Sequence, residues 1–252
     1  MKNVQVNISK IIYFNIFDIN TVNILGETLL FNYKNECENI ENNSCYDQHT
    51  INEVTRPEND VVIIMNLIDK AKNEFKEITR NNQKYKDNTF ISNNTSLYNY
   101  PDHEFNNKIQ INWLGPNDIN SLEINKSQFR TIFNDPNIND SLQGDVGDCW
   151  LISAINLLAN HKNFLNDIFL RANIRQMECI KNECFKIKLC VRGKWQIVTV
   201  DNKLPCYPNN TLKYSNTLNN QLYCSLIEKA VAKVSKNYEN LISGTSEEGI
   251  LF

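Results

Sequence analysis

The chain has 252 residues, a net charge of −3, and 41% hydrophobic and 22% charged residues, so it is long enough to bury a core in one or two domains. The slight acidity gives no electrostatic signature of nucleic-acid binding or of attachment to an anionic membrane. Eight cysteines are too dilute for a small disulfide scaffold, and seven glycines and six prolines exclude collagen-like and Pro/Gly-rich disordered classes.

Asparagine is the unusual residue, with 43 copies, and it favours turns over helices and strands. Residues 1–55 form an Asn-rich N-terminal segment without a repeat or motif, and we leave it unassigned. No segment contains the roughly 18 continuous apolar residues of a membrane helix, and no signal peptide is recognisable. We therefore expect a cytoplasmic protein with reduced thiols and no transmembrane segment.

Residues 56–108 are interpreted as a helix and a polar linker that leads into the core. Apolar residues recur at steps of three and four from Asn59 to about Tyr85, which predicts one packing helix. These residues are Val61, Ile64, Leu67, Ile68, Ala71, Phe75 and Ile78. Polar residues 86–107, with Pro101 among them, predict a loop.

Residues 109–252 mix helical and strand patterns. The apolar run Trp150–Leu158 predicts a helix that ends at Asn160, and Tyr223–Lys236 predicts a second helix with one apolar side. Phe185–Leu189 alternates as a half-buried strand does, and Trp195–Val200 predicts its partner. The residues between them, Arg192-Gly193-Lys194, predict a hairpin turn. The pattern predicts an α+β fold with helices packed on a small antiparallel sheet.

One segment carries chemistry: Gln143-Gly144-Asp145-Val146-Gly147-Asp148-Cys149-Trp150-Leu151. Its two glycines allow a sharp turn and close approach of a ligand. Cys149 then begins an apolar helix, for which Asp148 is a plausible N-cap. A thiol at a helix N-terminus meets unpaired N–H groups and the positive end of the helix dipole, which favour the nucleophilic thiolate. The Gln143 amide could donate to an oxyanion beside the Cys149 backbone N–H.

This segment resembles the nucleophile signature of calpains, the papain-like cysteine proteases regulated by calcium. Further resemblances follow in the family's order. They are Trp113-Leu114-Gly115-Pro116, the strand Trp195–Pro205, the helix Ser225–Lys233, Ser243-Gly244 and Glu248-Gly249, with a faint upstream match at Tyr85, Asp87, Phe90, Ser96 and Leu97. Several ordered motifs make coincidence improbable, and the resemblance implies that residues 109–252 form the first, nucleophile-bearing lobe of a papain-like protease.

The resemblance implies Cys149 as nucleophile and Gln143 as oxyanion donor, with Gly147, Trp150 and Gly244 contacting a protein or peptide substrate. In the family, the base His and orienting Asn lie on a second lobe downstream, which we expect this chain to lack because it ends at Phe252.

None of the three histidines replaces that base in the sequence pattern. His161 lies twelve residues after Cys149 at the end of the predicted helix, about 18 Å away against the ~3 Å that a base needs. His49 and His103 lie in Asn-rich loops before the cysteine. We interpret all three as exposed polar residues.

The resemblance also implies calcium, held in the family by an Asp, a Glu and two backbone carbonyls. The matching positions are Asp140, Gln221 and the carbonyls of Phe133 and Asp135. Because Gln221 replaces a carboxylate by an amide, we expect weakened affinity. Ile138 stands where the family has an Arg that couples calcium to lobe closure, and Thr245 stands where it has a substrate-contacting Gly.

The remaining cysteines are interpreted as ordinary thiols, since Cys179 and Cys184 lack a second Cys or His pair for zinc. Two functions stay open. The first is a calpain-type cysteine endopeptidase, of which this chain is the first lobe and which works with a second lobe in a longer chain. The second is a non-catalytic calpain-like binding or regulatory module.

Overall fold

The computed structural model of the chain describes residues 57–104, 109–120, 131–160, 162–170, 176–191 and 194–244. A boundary between two units lies after Met65, and the packing below concerns the second unit, from Asn66 onward. Among the described residues, no helix combines the length and the apolar character needed to cross a membrane.

Five α-helices and six short strands make up the described part of the chain. The helices are α1 (Pro57–Arg80), α2 (Cys149–Ala159), α3 (Lys162–Ile168), α4 (Gln176–Lys181) and α5 (Tyr223–Val234), with single 3₁₀ turns at Asn94–Ser96 and Glu239–Leu241. The strands are β1 (Asn112–Leu114), β2 (Ser141–Leu142), β3 (Phe185–Val191), β4 (Lys194–Val200), β5 (Leu204–Cys206) and β6 (Asn216–Thr217).

The described strands form three two-stranded antiparallel ladders, β1–β5, β2–β6 and β3–β4, rather than one sheet. The longest is the hairpin β3–β4, in which Ile187 pairs with Val198. Its predicted turn at Arg192 and Gly193 lies outside the described residues, and Lys194 belongs to β4. The α+β class that the sequence predicts is confirmed, with smaller antiparallel sheets than expected.

Helix α1 is confirmed but ends at Arg80, earlier than the predicted Tyr85. Its apolar side is buried at Ile68, Ala71 and Phe75. The early end follows from Asn82, which adopts a left-handed φ of 50°. The backbone N–H groups of residues 81–83 turn back onto the last carbonyls of the helix, as at a helix C-cap.

Helix α5 is the centre of the core, with ten of its twelve residues buried. The sequence pattern predicts one apolar side, and this prediction is incomplete because the structure also buries Glu228 and Lys229. Lys229 is satisfied by an ion pair with Asp201 and by the carbonyl of Lys203. Helix α5 packs against α2, β3 and β4.

The prediction of a half-buried strand at β3 is wrong, because both of its faces are covered. Phe185, Ile187 and Leu189 are buried on one face, and Lys186 and Lys188 are buried on the other. Lys186 pairs with Glu74 of α1 at 2.7 Å, and Lys188 pairs with Asp167 of α3. The polar face of the strand is therefore buried because α1 and α3 each supply a carboxylate that pairs with one of its lysines.

Asparagines build many of the loops, as the composition predicts. The Asn93 side chain accepts a hydrogen bond from the Thr95 backbone N–H at 2.9 Å, and Asn209 does the same for Thr211 at 3.1 Å. Asn210 and Asn220 adopt left-handed φ angles of 64° and 54°. An asparagine tolerates both arrangements better than most residues do.

Candidate active site

Cys149 is the first residue of helix α2, as the sequence predicts, and its side chain is exposed. The helix is fixed beneath it by buried Trp150 and Leu151. The indole Nε1 of Trp150 donates to the Leu241 carbonyl at 2.9 Å. Cys149 is thus a solvent-accessible thiol on a rigid support, at a helix end whose first N–H groups lack intrahelical acceptors.

The loop before α2 is clamped onto the segment after β5. The Asp145 backbone N–H donates to the Lys213 carbonyl at 3.1 Å, and the Asp145 carboxylate is bonded by the Lys213 ammonium at 2.8 Å and by the Tyr207 hydroxyl. Burial raises the pKa of Asp145, but the hydrogen bonds from Lys213 and Tyr207 outweigh burial, so the pKa lies below its usual range. A carboxylate therefore anchors the loop at neutral pH.

The contact between the nucleophile loop and the segment after β5 requires a glycine at position 144. A Cβ at Gly144 would lie 2.4 Å from the backbone of Tyr214, a distance that real Cβ atoms essentially never show. Gly147 is different, because among the described residues its Cβ would meet only Ile242, at 3.8 Å, an ordinary contact. Gly147 is exposed, so its backbone is open to a ligand, which is the second role that the sequence predicts for the pair.

The side chain of Gln143 is held over the same loop. Its Nε2 donates to the Val146 carbonyl at 2.8 Å. An amide nitrogen carries two N–H donors, so one donor remains after this bond. The bond fixes the amide three residues before Cys149, and its role as oxyanion donor stays a prediction.

The segment 241–244 lies against the nucleophile loop. The Ser243 backbone N–H donates to the Gly147 carbonyl at 3.1 Å. A Cβ at Gly244 would lie 2.7 Å from the Trp150 ring, so the indole occupies the place of a side chain there. The structure thus brings Gly147, Trp150 and Gly244 together beside Cys149, while their contact with substrate stays a prediction. Thr245, where the family has a second glycine, lies outside the described residues.

Asp148 occupies the N-cap position of α2, as the sequence predicts, but it caps the helix with its backbone alone. Its backbone carbonyl accepts from Leu151 at 2.8 Å and Ile152 at 3.1 Å, but its side chain makes no cap hydrogen bond. The Asp148 carboxyl is instead fully buried and faces the carboxyl of Glu228 on α5. Burial raises the pKa of Asp148 to about 6, and burial followed by repulsion from Asp148 raises the pKa of Glu228 well above its usual value.

The groups that the resemblance implies for calcium are already hydrogen-bonded to two glutamines. Gln176 donates from Nε2 to the Phe133 carbonyl at 3.0 Å. Gln221 accepts at Oε1 from the Asn134 backbone N–H at 2.7 Å, and its Nε2 lies 3.4 Å from the Asp135 carbonyl. Gln221 therefore turns an N–H, which cannot bind a cation, toward one of the implied ligands.

Asp140 is the one carboxylate in that implied set. Its Oδ2 accepts from the Asn137 backbone N–H at 2.9 Å and from the Asn219 amide at 3.2 Å. Calcium takes six to eight oxygen ligands, usually with several carboxylates. Among the described residues, no group of three His, Cys, Asp or Glu side chains is placed to hold a metal. As they stand, these residues do not fit a calcium ion.

The thiols other than Cys149 in the described ranges are interior or half-buried. Cys179, Cys184, Cys206 and Cys224 are buried and form no disulfide among the described residues, and Cys190 is half-buried. Burial raises the pKa of Cys184 to about 11 and that of Cys224 to about 12, so neither is a nucleophile at neutral pH. The predicted thiols Cys37 and Cys45 lie outside the described residues.

Histidine placement is described at one position. His103 is exposed in the turn after Pro101, and its backbone N–H donates to the Tyr100 carbonyl at 3.2 Å. His49 and His161 lie outside the described residues. The prediction that none of the three serves as the base stays a prediction.

Sequence reasoning did not find the partners that shape this site: Glu228, Tyr214, Gln176 and Ser215. Glu228 had a signal, because it and Lys229 are charged residues that lie between apolar Ile227 and Ala230 in the same helix. The contact of Gly144 with Tyr214 joins residues 70 positions apart, and nothing in a local pattern marks it.

Comparison with known proteins identifies the family. Residues 85–251 match the calpain family cysteine protease model. The calpain-type cysteine protease ADL1 of Oryza sativa subsp. japonica is 26% identical over 178 residues, which cover 69% of this chain and 8% of that protein. Calpain clp-1 of Caenorhabditis elegans is 28% identical over 170 residues, 66% of this chain and 20% of that protein. The calpain-1 catalytic subunit of Sus scrofa is 31% identical over 146 residues, 54% of this chain and 20% of that protein.

The matches therefore span a fifth or less of the length of these relatives. The family match includes the nucleophile loop, helix α2, the β3–β4 hairpin and helix α5 in one continuous range. With this range and the order of its motifs, the chain belongs to the calpain family of cysteine proteases.

Proposed function

We propose that this chain carries the nucleophile of a calpain-type cysteine endopeptidase and forms a papain-like first lobe. The observation that carries the proposal is the exposed Cys149 at the start of a rigid apolar helix, beside the open backbone of Gly147. Membership in a cysteine protease family supports a hydrolase acting on protein or peptide substrates.

The proposed chemistry is acyl transfer followed by hydrolysis. A base removes the proton of the Cys149 thiol, the sulfur attacks the peptide carbonyl carbon, and the carbonyl electron pair moves onto oxygen. That oxyanion accepts hydrogen bonds from the Cys149 backbone N–H and from the free Nε2 donor of Gln143. When the oxyanion collapses, the C–N bond breaks, the amine leaves with a proton from the conjugate acid of the base, and a thioester remains on Cys149. Water, deprotonated by the same base, hydrolyses the thioester.

A histidine base and its orienting asparagine, on a second lobe of a longer chain, are part of this proposal. Gly147, Trp150 and Gly244 form the side of the groove that this chain supplies. Trp150 is held by its hydrogen bond to the Leu241 carbonyl, and the Ser243 backbone N–H holds the Gly147 carbonyl. We also propose a cytoplasmic location, in keeping with the absence of disulfides among the cysteines of the described residues. The family resemblance implies calcium dependence, but the described ligand set does not support it, so calcium binding by these residues is not part of the proposal.

The test is cleavage of casein by the native-length protein, isolated from its source, and by a Cys149→Ser variant. Cys190→Ser, at a half-buried thiol on β3, is the matched control. We expect cleavage to be lost in Cys149→Ser, to fall by about 10²-fold in Gln143→Ala, and to persist in Cys190→Ser. If the native-length protein cleaves nothing in the presence of calcium and reducing agent, the endopeptidase proposal is wrong and the binding-module alternative replaces it.

A further inference from the structure

Two carboxyl groups are buried directly behind the nucleophile. Asp148, the residue before Cys149, is 0% exposed, and Glu228 in the middle of α5 is 1% exposed. The two residues are 80 positions apart and meet where helices α2 and α5 pack together. The proposed chemistry does not use either of them.

The hydrogen bonds around this pair are unequal. Glu228 accepts from the Ser215 backbone N–H at 3.1 and 3.2 Å and from the Ser215 hydroxyl at 2.8 Å. No donor of the described residues reaches either oxygen of Asp148 with normal hydrogen-bond geometry, and the groups next to this carboxyl are its own backbone N–H and the Glu228 carboxyl. A buried carboxylate without a donor is strongly disfavoured. A proton held on one of the two carboxyls supplies the missing donor.

The charges around the pair do not favour a second negative charge. The titratable groups that face it are Cys224, Tyr214 and Tyr238, and burial raises the pKa of each, so all three are neutral. Lys229, the next residue on α5, is paired with Asp201. Burial and mutual repulsion of the two carboxyls therefore favour a single shared negative charge.

We propose that Asp148 and Glu228 share one proton and that this acid–carboxylate pair is a positioning element, which fastens the start of the nucleophile helix α2 to α5. The catalytic part of this inference rests on the proposed role of Cys149 as nucleophile. When the shared proton leaves, a second buried charge appears one residue from Cys149 and loosens the contact. The pair thus links the placement of Cys149 to pH.

Glu228→Gln is the test variant, because its amide can donate permanently to Asp148 and still accept from Ser215. Glu228→Leu is the matched control of similar size without a donor. A carboxyl whose folded pKa is raised stabilises the protein at low pH, and this stability is lost as pH rises above the unfolded value of about 4. We expect the melting temperature of the 252-residue wild type to fall by about 5 to 10 °C more than that of Glu228→Gln between pH 5 and pH 8.

The second readout is alkylation of Cys149 by iodoacetamide, followed by mass spectrometry of its peptide. We compare the alkylation rate of Cys149 in Glu228→Gln with that in the wild type. The ratio of the two rates should change about threefold between pH 6 and pH 9, because only the wild-type carboxyl pair acquires a second negative charge. Glu228→Leu should lower the melting temperature at every pH. If Glu228→Gln does not fold, Asp148→Asn provides the same comparison from the other side of the pair.

Parallel melting curves and a constant alkylation ratio would overturn the shared proton. Neither readout needs peptidase activity. A protein that cleaves nothing but shows both pH effects would refute the proposed function and leave this inference standing, while parallel curves in an active protease would refute the inference alone.

Discussion

Replacing Gly144 by alanine should displace the loop that leads into the nucleophile helix. The added Cβ would lie 2.4 Å from the Cα and carbonyl carbon of Tyr214 and 2.5 Å from its carbonyl oxygen. All three are backbone atoms, so no side chain can rotate away. Tyr214 is itself held by stacking on buried Tyr238, with ring centroids 4.2 Å apart.

The clash therefore moves the loop or the 213–214 segment. Overpacking of a rigid site costs about 1–3 kcal/mol, and we place Gly144→Ala near 3 kcal/mol because both sides are backbone. For a unit of this size, that value lowers the melting temperature by roughly 6–12 °C. Thermal unfolding by circular dichroism measures it. The rate of Cys149 alkylation should change in the same variant, because the loop ends at the nucleophile.

Gly147→Ala is the matched control on the same loop. Its Cβ would lie 3.8 Å from Ile242 Cγ2, the nearest atom of the described residues, so the free energy of unfolding should change by less than about 0.5 kcal/mol. In the native-length protein, the same methyl group should slow peptide cleavage by narrowing the groove. If Gly144→Ala is as stable as Gly147→Ala, the described close approach of Gly144 to the Tyr214 backbone is wrong.

Three further predictions concern other parts of the lobe. Lys229→Ala should destabilise the protein by about 3–5 kcal/mol in urea unfolding, because it leaves Asp201 as a buried unpaired charge; a loss under 1 kcal/mol would contradict the ion pair. Burial raises the pKa of Asp87, but the hydrogen bond and the charge of Lys233 outweigh burial, so the pKa of the folded protein lies below the usual 3.8. The ion pair of Asp87 with Lys233 therefore stabilises the fold at neutral pH, and this stabilisation is lost as pH falls through the folded pKa. Asp87→Asn should therefore show a shallower loss of stability than wild type between pH 4 and pH 2, and equal slopes would refute this. Calcium at 1 mM should leave the melting temperature of the wild type unchanged and raise that of Gln221→Glu. A calcium-dependent rise in the wild type would show that Gln221 leaves its described hydrogen bonds when the ion binds.

Local patterns were enough to predict the elements that carry the chemistry. The helix after Cys149 and the strands at 185–191 and 194–200 follow from apolar runs and alternation, which depend on near neighbours in the sequence. The place of Cys149 at the start of this helix also follows from its position before the apolar run. The papain-like arrangement of these elements, and the division of the chain at residues 55 and 108, stay predictions.

What the sequence did not predict depends on partners distant in the chain. The sequence pattern places Lys186 and Lys188 on the solvent face of a strand. In the structure they are buried, because Glu74 and Asp167, on two different helices, form ion pairs with them. Asp148 has the position of a helix cap, but burial next to Glu228 gives its side chain a different partner. Local propensity does not encode such long-range pairs of charges.

The most direct test of the proposed nucleophile is to trap the acyl intermediate on Cys149. The native-length protein is mixed with a peptide ester, quenched in acid within its first turnover, digested and examined by mass spectrometry. We predict that the peptide containing Cys149 gains the mass of the acyl group, whereas the peptide containing half-buried Cys190 does not. Peptide cleavage without acylation at Cys149, or acylation at another residue that persists in Cys149→Ser, would contradict the assignment of Cys149 as nucleophile.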